Sequence, residues 1–187
     1  MALAAGASAG EAGAARVPGG FYTPFRADAG ASVVPVAPFL LDERPITNAE
    51  FLAFVTREGR WRRSRAPRAL ADASYLSSWA GDLALGDALP GQPVTFVSWF
   101  AASAYCESVG KRLPSEAEWE LAANPPQQGV AARDEAKRRI LAFYARPRGP
   151  LPRAGSSPPN HYGVRDLHGI IWEWVADWDA GRAADGE

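Results

Sequence analysis

One cysteine, Cys106, in 187 residues excludes an internal disulfide, so cysteine usage assigns no redox compartment. No stretch approaches eighteen consecutive apolar residues, which excludes a membrane-spanning helix on length. An excess of either charge is also missing. Twenty Lys and Arg against 21 Asp and Glu leave a net charge of −1, with a pI near 6.2. The chain therefore has no global attraction to nucleic acid or to anionic lipid, and partners must be argued locally. Only two histidines occur, His161 and His168, and without a third ligand they make a poor transition-metal site. No phosphate loop, serine triad or paired-carboxylate hydrolase motif is present. What remains is an ordinary composition, 47% hydrophobic and 22% charged, enough for one sizeable core.

Residues 1–16 are rich in alanine and glycine and poor in large side chains, so they read as a disordered leader. Ala7-Ser8-Ala9 has the small-residue pattern of a cleavage site, but the charged and bulky apolar regions of a secretory signal are missing. Were the leader the remnant of such a signal, the protein would be exported or periplasmic. Residues 17–187 read as one domain. Short strands are expected over Phe21–Phe25 and from Val34 to Leu41, the second interrupted by Pro35 and Pro38, which lack a ladder donor.

Thr47 and Glu50 have capping-box spacing, which predicts a helix carrying Phe51, Leu52, Phe54 and Val55 and stopped at Gly59. Ser98 caps a second helix running to Val109 and closed by Gly110. Ser115 and Glu118 repeat the capping box for a third helix over Glu116–Ala123. Trp61–Gly91 lacks clean periodicity and reads as a long structured loop; Ala131–Tyr144 reads as a short helix. The class is α+β with short strands and much loop.

If Ile171–Val175 is extended, Trp172 and Trp174 share one face while Ile171, Glu173 and Val175 share the other. Glu173 then lies among apolar neighbours and needs a cation, several donors or a proton. Two cations answer equally: an arginine, with Arg112 the first candidate, or calcium, which accepts a carboxylate plus backbone carbonyls. Asn160, Asp166 and Asp177 bracket the segment and read as turn and cap residues rather than ligands. Trp99, Trp119, Trp172, Trp174 and Trp178 read as core and rim aromatics.

The arginines at 57, 60, 62, 63, 65 and 68, with Trp61 among them, raise a nucleic-acid reading. The slightly acidic chain argues against it, and Asp72, Asp82 and Asp87 follow closely as partners. Cys106 shares a helix face with Trp99, Ala102 and Val109 and reads as a small buried apolar residue.

Three segments carry a resemblance: PVTFVSWF at Pro93–Phe100, GKRLPSEAEWELAA at Gly110–Ala123 and NHYGVRDLHGIIWEWVADW at Asn160–Trp178. Together with PFLLDERPITNAEFLAFV at Pro38–Val55, they resemble the formylglycine-generating enzyme family, also called sulfatase-modifying factor domains. The resemblance implies a C-type-lectin-like fold. It also implies a structural calcium site at Glu173 with backbone carbonyls of Gly169 and Ile171, although Ile170 stands where the family pattern has asparagine. Active members of the family oxidise a substrate cysteine with oxygen and monovalent copper held by paired thiolates, and one thiol cannot supply that pair.

Copper is therefore not expected on this chain. The reading is a binding or accessory module, or a fragment, whose partner is a protein or a cysteine-containing polypeptide. Self-association is expected if the sheet around Trp172–Trp178 is left with an open apolar edge. The alternative is an oxygen-dependent oxidoreductase of the formylglycine-generating or nonheme-iron branch, with its reactive residues in a further C-terminal part. A lectin-like ligand binder rests on fold analogy alone.

Overall fold

In a computed structural model of the chain, the described residues are 4–5, 13–22, 24, 33–123, 138, 140, 141, 145, 149–177. Strands β1 (Ala4–Ala5) and β2 (Ala14–Val17) flank β5 (Phe39–Asp42) in a three-stranded antiparallel sheet. Strands β3 (Gly20–Tyr22) and β4 (Val34–Val36) form a separate antiparallel pair. The run from Val34 to Leu41 is thus two strands in two sheets, divided at Ala37-Pro38, where the missing amide donor ends the ladder. Strand β2 starts at Ala14, ahead of the domain start expected at Val17, and pairs Ala15 with Leu41. The predicted helix over Ala131–Tyr144 lies almost entirely outside the described residues.

The three caps form as their spacing demands. Helix α1 (Asn48–Arg57) starts on Thr47, whose hydroxyl accepts from the Glu50 amide while the Glu50 carboxylate accepts from the Thr47 amide at 2.8 Å. It ends at Glu58, and Gly59–Trp61 continues as a single 3-10 turn. Helix α2 (Trp99–Ser108) is capped by Ser98. It closes with Gly110 at φ +70° and the Lys111 amide donating to the Cys106 carbonyl at 2.8 Å, a Schellman ending. Helix α3 (Glu116–Ala123) has Ser115 and Glu118 in reciprocal contact.

Two apolar clusters hold these elements. The larger joins α1 and α2 to the turns of residues 61–79: Phe51, Phe54, Tyr105 and Trp79 pack as tilted, stacked and edge-on rings, with Phe51 and Tyr105 centroids 5.7 Å apart, and Trp61 is buried in the same cluster. The smaller lays α3 and Val164 and Leu167 against Ala15, Val17, Phe39 and Leu41 of the three-stranded sheet. Lys111 and Asp42 pair at 2.7 Å and tie the end of α2 to β5.

Arg44 reinforces the start of α1 by gripping Glu50 with two 2.9 Å bonds. Burial alone would raise the Glu50 pKa; the bonds from Arg44 and Thr47 overcome it and bring it to about 2. A carboxylate depressed in the folded state contributes stability that is present above its unfolded pKa and lost as pH falls. Between pH 4.5 and 2 the domain should therefore lose about 1.5 kcal/mol from this group, allowing for screening of a side chain 36% exposed. Urea denaturation at stepped pH, with Glu50→Gln flattening that limb of the profile, is the check.

Candidate functional site

The three patterned segments meet in space. The chain from Glu173 to Asp177 runs between the starts of α2 and α3 and is stitched to both. Trp99 donates its indole N–H to the Val175 carbonyl at 2.8 Å, and Trp174 donates to the Val97 carbonyl at 2.7 Å. The Ala176 amide reaches the Pro114 carbonyl at 2.7 Å, and Asp177 accepts from the Glu116 amide at the open end of α3. Burial alternates along the segment as an extended chain demands, with Ile171, Glu173 and Val175 half-buried. Trp172 and Trp174 are the outer face, at 75% and 37% exposure.

Glu173 points inward. Its Oε2 accepts the Trp119 indole N–H at 2.5 Å, while Oε1 is enclosed and has no protein partner among the described residues. Burial pushes its pKa up, and the charge of Asp166 adds to the shift. Beside it, the His168 ring packs edge-on against Trp119 at 5.4 Å, with Nε2 3.3 Å from the Ala123 carbonyl and Nδ1 enclosed without a partner among the described residues. Burial lowers the His168 pKa, which favours the neutral ring.

Arg112 does not serve Glu173. It grips Glu118 through two bonds of 2.6 and 2.7 Å and donates to the Leu113 carbonyl, so it is spent on the first turn of α3. Arg112, the first candidate for the cation beside Glu173, is thereby ruled out. An orphaned, enclosed carboxylate oxygen fits a hard cation bound by one acidic side chain and backbone oxygens. Gly169, at φ +95°, and Ile171 lie on the loop that leads into Glu173. No group of three His, Cys, Asp or Glu side chains capable of holding a metal exists among the described residues.

Asn160 and Asp166 are turn residues, as expected. Asn160 accepts from the Tyr162 and Val164 amides and donates to the Ala122 carbonyl, pinning the loop to the end of α3. Asp166, itself at φ +64°, accepts from the Gly155 and Ser157 amides. His161 is exposed beside Tyr162.

Among the arginines, Arg62 and Arg63 donate to the carbonyls of Val55, Thr56 and Trp79 rather than to carboxylates; Asp82 is occupied by Ser64. Trp61 is buried, with the Arg60 guanidinium 5.4 Å from its ring centroid, so it offers no surface for base stacking. The tryptophan at the centre of the core is Trp79, whose indole N–H donates to Asn48 at 2.9 Å. It sits in the aperiodic stretch, where nothing in the local pattern marked it. Trp178 lies outside the described residues.

Cys106 is fully buried on α2, and burial pushes its thiol pKa up to about 12. It should resist iodoacetamide at pH 8 in the folded protein and react only after unfolding, which intact-mass measurement with and without denaturant would read.

The sulfatase-modifying factor enzyme 1-like domain profile matches residues 5–184 of this sequence. The chain belongs to that family. Within it, the chain is 32% identical to the formylglycine-generating enzyme of Streptomyces coelicolor, over 89% of this chain and 69% of that protein. It is 30% identical to the inactive C-alpha-formylglycine-generating enzyme 2 of Bos taurus, covering 76% and 61%. It is also 34% identical to the serine/threonine-protein kinase pkn1 of Chlamydia pneumoniae, covering 75% of this chain but only 23% of the kinase. The chain therefore spans about a quarter of the length of that kinase. The α+β architecture of short antiparallel strands, three helices among the described residues and long loops agrees with this family. No helix among the described residues is long and apolar enough to cross a membrane.

Proposed function

We propose that these 187 residues act as a formylglycine-generating-enzyme-like binding or accessory module rather than as a copper-dependent oxidase. One observation carries the reading: the sequence has a single thiol, and the fold seals it inside α2 with its pKa pushed up to about 12. Monovalent copper needs exposed, paired thiolates, so the residues present do not fit the family's copper centre. The partner in this reading is a polypeptide, bound through the surface around the tryptophan seam, where Trp99 and Trp174 join the start of α2 to the Glu173–Asp177 segment.

Calcium is proposed as a structural ion at Glu173, with the backbone carbonyls of Gly169 and Ile171. The support is the enclosed Glu173 Oε1, which lacks a protein partner among the described residues. A bound divalent ion would neutralise this carboxylate and fix the loop that positions Trp172 and Trp174.

The test is oxygen uptake by the purified chain with monovalent copper and a cysteine-containing peptide. The expected rate equals that of copper and peptide alone, with the peptide cysteine unchanged by mass spectrometry. A copper-dependent aldehyde on that peptide would overturn the proposal.

A further inference from the structure

Beside the tryptophan seam lies an open cleft of about 460 Å³, between the turns of residues 68–75 and the start of α2. Phe96, Trp99, Phe100 and Trp174 supply ring surface to it, and Arg68 stands on its wall. The indole N–H groups of Trp99 and Trp174 are both spent on backbone carbonyls, so these two rings offer the cleft apolar surface and no donor. Phe96 is 54% exposed although its backbone is held at φ +56°, a region that bulky residues avoid. Its carbonyl is held by the Leu76 amide at 2.8 Å, and Leu76 is itself at φ +49°. The fold thus maintains a strained turn while leaving a large aromatic side chain in solvent, a combination that folding alone does not reward.

The charge at the cleft is also specific. Arg68 is exposed and has no hydrogen-bond or ion-pair partner among the described residues. It ends a stretch, residues 57–68, that holds six arginines and one acid, Glu58. Asp72 shares the wall, but its Oδ1 takes both the amide and the hydroxyl of Ser74. A guanidinium with no ion-pair partner among the described residues, set beside fixed aromatic surface, complements a carboxylate close to an apolar side chain.

We propose that this cleft docks an acidic polypeptide segment, anchoring an aromatic or long aliphatic side chain among Phe96, Phe100 and Trp174 while Arg68 receives a neighbouring Asp or Glu. The inference rests on the reading of the domain as a binding module and names the class of its partner. Ring surface that loses its water on docking supplies the affinity, and the rim cation supplies discrimination against basic segments.

A library of random twelve-residue peptides, selected on the full chain at low salt, tests it. The expected enrichment is for an aromatic or aliphatic residue within a few positions of Asp or Glu. Arg68→Glu should weaken binding of the enriched peptides about tenfold, because it replaces attraction by repulsion. Phe96→Gly should weaken it comparably while leaving the melting temperature unchanged or higher, since glycine accepts the left-handed backbone. That separates loss of the ring from loss of the fold. Enrichment of basic peptides, no enrichment, or binding indifferent to both variants would overturn the proposal. So would an oligothymidylate that binds more tightly than the enriched peptides and is lost in the same variants. Failure of these tests in a chain that consumes no oxygen removes this inference alone; copper-dependent thiol oxidation removes the parent reading whatever the cleft holds.

Discussion

Replacing Trp79 by alanine is expected to destabilise the domain by about 3–5 kcal/mol, the range for deleting a fully enclosed tryptophan. Two contacts go at once. The ring stands edge-on to Phe51 with centroids 6.3 Å apart, and its N–H satisfies the buried Asn48 carbonyl oxygen. Leaving that oxygen without a donor adds about 1–3 kcal/mol. Since Asn48 also donates to the Leu89 carbonyl at 3.0 Å, disorder should spread into the turn before Pro90. Against a total stability of about 5–15 kcal/mol, the variant should be largely unfolded at moderate urea. Trp172→Ala is the control. That side chain is 75% exposed, and its loss should cost under about 1 kcal/mol. Equal urea midpoints for the two variants would refute the assignment of Trp79 to the centre of the core.

The second large effect concerns calcium. If the ion occupies the Glu173 site at a hundredfold excess over its dissociation constant, it stabilises the fold by about 2.7 kcal/mol. For a chain of this size that is about 5–10 °C in melting temperature, lost on adding chelator. Glu173→Gln should abolish this response. In chelator the same variant should melt at or above the wild type, because a neutral amide avoids burying an uncompensated charge. A wild-type melting temperature unmoved by chelator would leave Glu173 as a protonated carboxyl held by Trp119, in keeping with the upward push that burial gives its pKa.

These two residues also mark how far the sequence could be read. Glu173 stood out because apolar residues alternate around it, and the extended segment kept that alternation. Its partner was not legible. Arg112 was the natural candidate by pattern, yet Glu118, six positions away and on the adjoining turn, takes both of its guanidinium nitrogens. A neighbour that the backbone already brings close outcompetes a distant carboxylate, since little further entropy is lost in meeting it. Trp79 gave no signal at all. Its surroundings are successive turns, where burial follows no period and depends on how α1 and α2 close over the loop.

The sequence by itself determined the family and the local punctuation of the fold. Thr47 with Glu50, Ser98, Gly110 and Ser115 with Glu118 each act through bonds to backbone a few residues away, so their spacing suffices to place the helix ends. Tertiary structure alone decided that Trp119 meets Glu173 across 54 residues, that the division at Ala37-Pro38 separates two sheets, and that five aromatic residues and one arginine line a common cleft. Such contacts depend on how packed elements cross in space, and side-chain spacing along the chain carries no record of that crossing.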